Sequence, residues 1–89
     1  MSAAQDVEVG DFYYQDKNYR AALNRYESAL QGKPGDPGIF LRLGKTAEKL
    51  NDLDRAVREY QSSIDAAAEG PSGREAKVGL ERIKSKNAK

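Results

Sequence analysis

The chain matches itself at a shift of 34 residues. Gly10 falls on Gly44, Ala22 on Ala56, Tyr26 on Tyr60, Val9 on Leu43, Asn18 on Asp52, Tyr19 on Leu53 and Leu30 on Ile64. Tyr14 falls on Glu48, and only that pair changes chemical type. A period of this size marks stacked supersecondary units, none of which can bury its apolar surface alone. The 89 residues leave room for one domain holding two such units and part of a third.

The stretches between the matches read as helices. Asp36-Pro37 is a start signal: Asp accepts from the first free N–H groups, and Pro suits the first helical position, where its missing N–H costs nothing. Ile39, Phe40, Leu43, Gly44, Ala47 and Leu50 then recur on one face, up to a stop near Asn51-Asp52. Asp52 caps the next helix, whose stripe is Leu53, Ala56, Val57, Tyr60, Ile64 and Ala67, and Gly70-Pro71 ends it. The first unit repeats the layout. Val7, Val9, Gly10, Phe12, Tyr13 and Tyr14 mark a helix over about residues 4–16. Asn18 caps a second helix to about Gln31, and Gly32-Lys33-Pro34-Gly35 breaks it. Ser72-Gly73-Arg74-Glu75 reads as a capping box for a fifth helix with Ala76, Val78, Gly79, Leu80 and Ile83 as its apolar set; residues 85–89 are expected to fray. No segment keeps a strand's strict alternation between turn signals. The predicted class is all-α.

Composition removes most chemistry. Without Cys or His there is no disulfide, no thiolate or imidazole metal site, and no Ser–His or Cys–His nucleophile. No cofactor and no catalysis are expected. Asp52 with Asp54, and Asp11 with Asp16, lie at element ends and read as caps and solvated charges rather than paired acids. Gly32-Lys33-Pro34-Gly35-Asp36 lacks the Gly-Lys-Ser/Thr order that cradles phosphate, so it reads as a turn. The net charge of +1 gives no strong field toward nucleic acid, although residues 74–89 carry six bases against two acids. The tyrosines read as core and groove-edge residues rather than a platform for bases. Apolar runs reach three residues, as at Phe12–Tyr14, where a spanning helix needs about 20, so no membrane insertion is expected. The first 20 residues lack the basic start and apolar run of a signal peptide, and the compartment stays open between cytoplasm and periplasm.

A 34-residue helix–turn–helix period with these residues resembles the tetratricopeptide repeat family. Val9-Gly10, Tyr13, Ala22, Tyr26, Ala29 and Pro34 match its pattern in the first unit; Leu43-Gly44, Ala47, Ala56, Tyr60, Ser63 and Ala68 take the same places in the second. Phe40 stands where the family often has Trp, and Asp6 does so in the first unit. Ala47, Ser63 and Ala68 depart from the family's aromatic, Ala and Pro. A half-repeat is expected to follow, with Val78-Gly79 lying 35 residues after Leu43-Gly44. The resemblance implies a right-handed superhelix: one repeat over about residues 3–36, a second over about 37–70 and a capping helix over about 72–87.

It also implies recognition of another protein in a groove lined by the first helices. The family's groove positions fall on Val7, Asp11, Tyr14 and Gln15, then Leu41, Arg42, Lys45, Glu48 and Lys49, then Lys77, Leu80 and Lys84. Arg42, Lys45 and Lys49 share one helix face. With Lys84 they form a basic strip for an acidic or carboxylate-bearing peptide, Arg42 acting as forked donor and Tyr14 as packing contact. Chaperone-binding members of the family carry a carboxylate clamp; Val7, Asp11 and Arg42 stand in its places here, so that clamp is not expected. Self-association through an edge of Val7, Val9 and Phe12 is a second reading. The run from Asn18 to Glu27 also resembles repeats in bacterial cell-envelope lipoproteins that help assemble outer-membrane β-barrels.

Overall fold

The computed structural model describes residues 1–87 and holds five helices: α1 (Ala3–Gln15), α2 (Tyr19–Gly32), α3 (Pro37–Lys49), α4 (Leu53–Ala67) and α5 (Pro71–Asn87). Among the described residues there is no strand. The helix starts follow local chemistry. Asn18 Oδ1 accepts from Ala21 N at 3.3 Å, Asp36 Oδ1 from Gly38 N and Ile39 N at 2.8 and 3.1 Å, and Asp52 Oδ1 from Arg55 N at 3.2 Å. Ser2 forms a capping box with Gln5 that the sequence reading did not single out. The two within-pair turns are built alike: Lys17 and Asn51, 34 positions apart, both take left-handed backbone, at φ 63° and 61°. One start differs from expectation. α5 begins at Pro71, so Ser72 lies inside its first turn and forms no capping box; Pro71 takes the first helical position, which its ring favours. Residues 88 and 89 of the tail expected to fray lie outside the described residues.

Each helix packs on its chain neighbours, and α3 also packs on α5, so α1 and α5 stand at opposite ends of a body measuring 43 × 27 × 17 Å. Small residues bring the helices of a pair together. A Cβ built on Gly10 would meet Cε1 of Tyr26 at 2.5 Å, and one on Gly44 would meet Cδ1 of Tyr60 at 2.6 Å. The first pair buries Ala22, Tyr26 and Ala29 against Ile39 and Leu43 of α3. The second core joins Leu41, Ala47, Ala56 and Tyr60 to Ala76, Leu80 and Ile83 of α5. These layers are those of a helical repeat solenoid.

The start of α5 keeps a shift of 34 from that of α3, Pro71 lying 34 after Pro37, rather than the 35 that Val78-Gly79 suggested. In this register Lys77, Val78 and Glu81 take the places of Leu43, Gly44 and Ala47, all three of which are buried in α3. The three α5 residues are exposed, Val78 at 61%, while Ala76, Leu80 and Ile83 on the opposite side are buried against the second pair. Two charged residues and an exposed valine thus stand where α3 has core residues, and that side of α5 is solvated.

Two further residues depart from the expected stripes. Phe12 is 65% exposed. Asp6, in the place where the repeat usually carries a large aromatic, is 3% exposed; its carboxylate accepts from Ser28 Oγ at 2.9 Å and pairs with Arg25 at 3.5 Å.

Candidate functional site

The first helix of each pair and α5 line one trough. Its upper hollow, about 500 Å³, lies between Asp11, Tyr14 and Gln15 of α1, Leu41, Arg42 and Lys45 of α3, and Ser72 and Glu75 of α5, with Tyr26 also on its wall. The lower hollow, about 350 Å³, is lined by Glu48, Lys49, Tyr60, Arg82 and Lys86. Both hollows share Tyr14, Lys45 and Glu75, so the two are continuous across those three side chains.

Two carboxylate triads hold the walls. Asp11 accepts from the Tyr26 hydroxyl and from Arg42, at 2.9 Å from Nε and 3.3 Å from Nη2. Glu48 accepts from the Tyr60 hydroxyl at 2.7 Å and from Nε and Nη2 of Arg82 at 2.8 and 2.9 Å. Each triad ties the first and second helices of one pair to the first helix of the next. The bidentate fork of Arg makes such a tie directional as well as strong. Burial, and then the hydrogen bond to a carboxylate, push the Tyr26 and Tyr60 hydroxyls well above their ordinary pKa. The Arg82 bond, joined by that of Tyr60, holds Glu48 below the usual carboxylate range against the opposing effect of burial. Burial also raises Tyr14.

A third cross-trough pair is looser. Lys45 Nζ reaches Glu75 at 3.2 Å and lies 5.9 Å from the centroid of the Tyr14 ring. That ring is steadied from behind by Tyr19, edge to face at 5.3 Å. Lys49 and Lys86 have no ion-pair partner among the described residues. The trough therefore carries five cations (Arg42, Lys45, Lys49, Arg82, Lys86) against three carboxylates (Asp11, Glu48, Glu75), with the excess at the lower end.

Of the residues expected to bind a partner, Asp11, Tyr14, Gln15, Arg42 and Lys45 line the upper hollow and Lys49 the lower one. Lys84 lines neither; at 100° per residue it lies about 200° round α5 from Arg82. Lys77 is off the trough for the same reason, and Leu80 is core. Arg42 lines the trough, but its fork is already engaged by Asp11. Glu75, Arg82 and Lys86 were missed. The 34-residue register would have found the first two, as the counterparts of Leu41 and Glu48.

Among the described residues no group of three carboxylates is placed to hold a metal ion, and no helix is long and apolar enough to cross a membrane. Residues 13–84 match the family model described as Tetratricopeptide repeat.

Proposed function

We propose a specific use for this chain, which belongs to the tetratricopeptide repeat family: its trough receives an acidic segment of a partner protein. Repeats of this family are generally protein–protein interaction modules and typically non-catalytic. The unit boundaries at about residues 36 and 70, with a closing helix after them, belong to the same reading.

The observation that carries the acidic preference is the uneven charge of the trough. Its upper end is neutralised within the chain, Arg42 by Asp11. Its lower end keeps Lys49 and Lys86 without ion-pair partners among the described residues, beside the Glu48–Arg82 pair. Excess charge of one sign in a concave surface attracts the opposite sign and fixes register along it. Tyr14 adds a flat amphipathic surface midway along, of the kind enriched at recognition sites. In this reading Asp11 and Arg42 shape the wall, and Tyr14, Gln15, Lys45, Lys49 and Lys86 meet the partner.

The test is a fluorescence anisotropy titration with a labelled octapeptide alternating Glu and Leu. The double variant Lys49→Glu, Lys86→Glu is expected to bind it at least about tenfold more weakly, about 1.4 kcal/mol, with unchanged thermal stability. Equal affinity of wild type and variant overturns the proposal.

A further inference from the structure

We infer that Lys45 and Tyr14 form a carboxylate-binding seat that Glu75 fills from within the chain, and that an acidic side chain of the partner displaces Glu75 from it. The inference rests on the reading of the trough as an acidic-segment site and names the point in it that selects the ligand.

Three ion pairs cross the trough, and they are not built alike. Asp11 and Glu48 each hold an Arg fork through two nitrogens and also accept from a buried tyrosine hydroxyl. Breaking either would strip several bonds at once and leave a buried phenol without its acceptor. Glu75 makes a single bond, to Lys45, at 3.2 Å. Its side chain is 56% exposed and that of Lys45 40%. An exposed pair with one contact contributes little to stability and exchanges readily with a competing charge.

The position of this pair is the second argument. Lys45, Glu75 and Tyr14 are the three side chains shared by both hollows. A segment lying along the whole trough must pass them, and Glu75 stands across its path. The Lys45 ammonium lies within cation–π reach of the Tyr14 ring, which gives a displacing carboxylate a fixed cation and an apolar wall for its methylene groups. Glu75 takes the place that Leu41 holds on α3, so its carboxylate is not needed to pack α5, whose core contacts are Ala76, Leu80 and Ile83.

Glu75 thus acts as a tethered competitor. It screens Lys45 while the trough is empty and exchanges with an incoming carboxylate, whereas a neutral segment has no charge to put in its place and leaves the Lys45–Glu75 pair intact.

The experiment compares wild type, Glu75→Gln, Glu81→Gln and the double variant Glu75→Gln, Lys45→Met against the Glu/Leu octapeptide and its Gln/Leu analogue. Glu81→Gln removes the same charge from the solvated side of α5. The expected result is that Glu75→Gln binds the acidic peptide about 3–10-fold more tightly than wild type, that Glu81→Gln does not, and that the added Lys45→Met abolishes the gain. The Gln/Leu peptide is expected to change less than about twofold in all four. Wild-type binding that Glu75→Gln leaves unchanged or weakens overturns this inference alone, as does an equal gain from Glu81→Gln. Failure of both wild type and Glu75→Gln to bind the acidic peptide overturns the acidic-segment reading and this inference with it.

Discussion

Tyr60 fills the space that Gly79 leaves open: a Cβ on Gly79 would stand 2.6 Å from Cζ of the ring. Gly44 faces the same ring, with a built Cβ 2.6 Å from Cδ1, so the phenol of α4 is clamped between α3 and α5 and anchored at its hydroxyl by Glu48. The arrangement explains why α5 carries glycine in mid-helix, where it is otherwise unfavourable by about 1 kcal/mol relative to Ala.

The clamp predicts an inverted response to Gly79→Ala. Helix propensity alone would favour the change, yet the ring it meets is 1% exposed and cannot withdraw. Overpacking of this kind costs about 1–3 kcal/mol, so a net loss of about 1–2 kcal/mol is expected. Urea unfolding measures it, with Val78→Ala on the neighbouring exposed position staying within about 0.5 kcal/mol of wild type.

The Glu48 triad predicts acid sensitivity. The Arg82 and Tyr60 bonds depress the carboxyl below its ordinary value of 4.5, so its stabilising contribution is fully present above that value and is lost as pH falls through the lower folded one. Glu48→Gln should therefore lower the melting temperature at about pH 7, and the gap from wild type should narrow steadily below about pH 4.5. A gap independent of pH would contradict the assignment.

The tyrosines predict the alkaline limb. Both hydroxyls are raised above 10.0 by burial and by donation to a carboxylate, so the folded chain keeps protons that the unfolded chain releases. Their contribution is intact below about pH 10 and declines as pH rises beyond it. The check is the slope of stability against pH above 10: it should be shallower in Tyr60→Phe than in wild type, and equal slopes would contradict it.

Asp6 predicts a tolerant site where a buried charge suggests an intolerant one. Its partner Arg25 is 39% exposed and Ser28 is exposed, so neither is stranded in the core when the carboxylate goes. Replacing a buried ion-pair member by an apolar residue is often neutral or stabilising under those conditions. Asp6→Leu is expected to unfold within about 1 kcal/mol of wild type or to gain stability, read by thermal denaturation.

What could be read from the sequence was local. Asn18, Asp36 and Asp52 cap their helices because a short polar side chain reaches its own backbone whatever the rest of the chain does. Gly10 with Tyr26 and Gly44 with Tyr60 betrayed themselves by repeating. The trough's electrostatics were not legible, because Asp11 meets Arg42 across 31 residues and Glu48 meets Arg82 across 34. The placement of Lys84 failed on phase. Val78-Gly79 looks like Leu43-Gly44, but Gly79 faces Tyr60 of the preceding helix, and one residue of slip turns a helix by about 100°. Asp6 was hidden because a carboxylate at an apolar register position gives no sign of the Ser28 and Arg25 that accommodate it.

The most direct measurement is a backbone amide NMR titration of the chain with the Glu/Leu octapeptide. The trough account predicts that the shifts gather on Tyr14, Gln15, Lys45, Lys49, Glu75 and Lys86, and leave the exposed positions Arg20 and Asn24 of α2 and Arg58 and Gln61 of α4 unmoved. Shifts centred on α2 and α4, or none at saturating peptide, would contradict it.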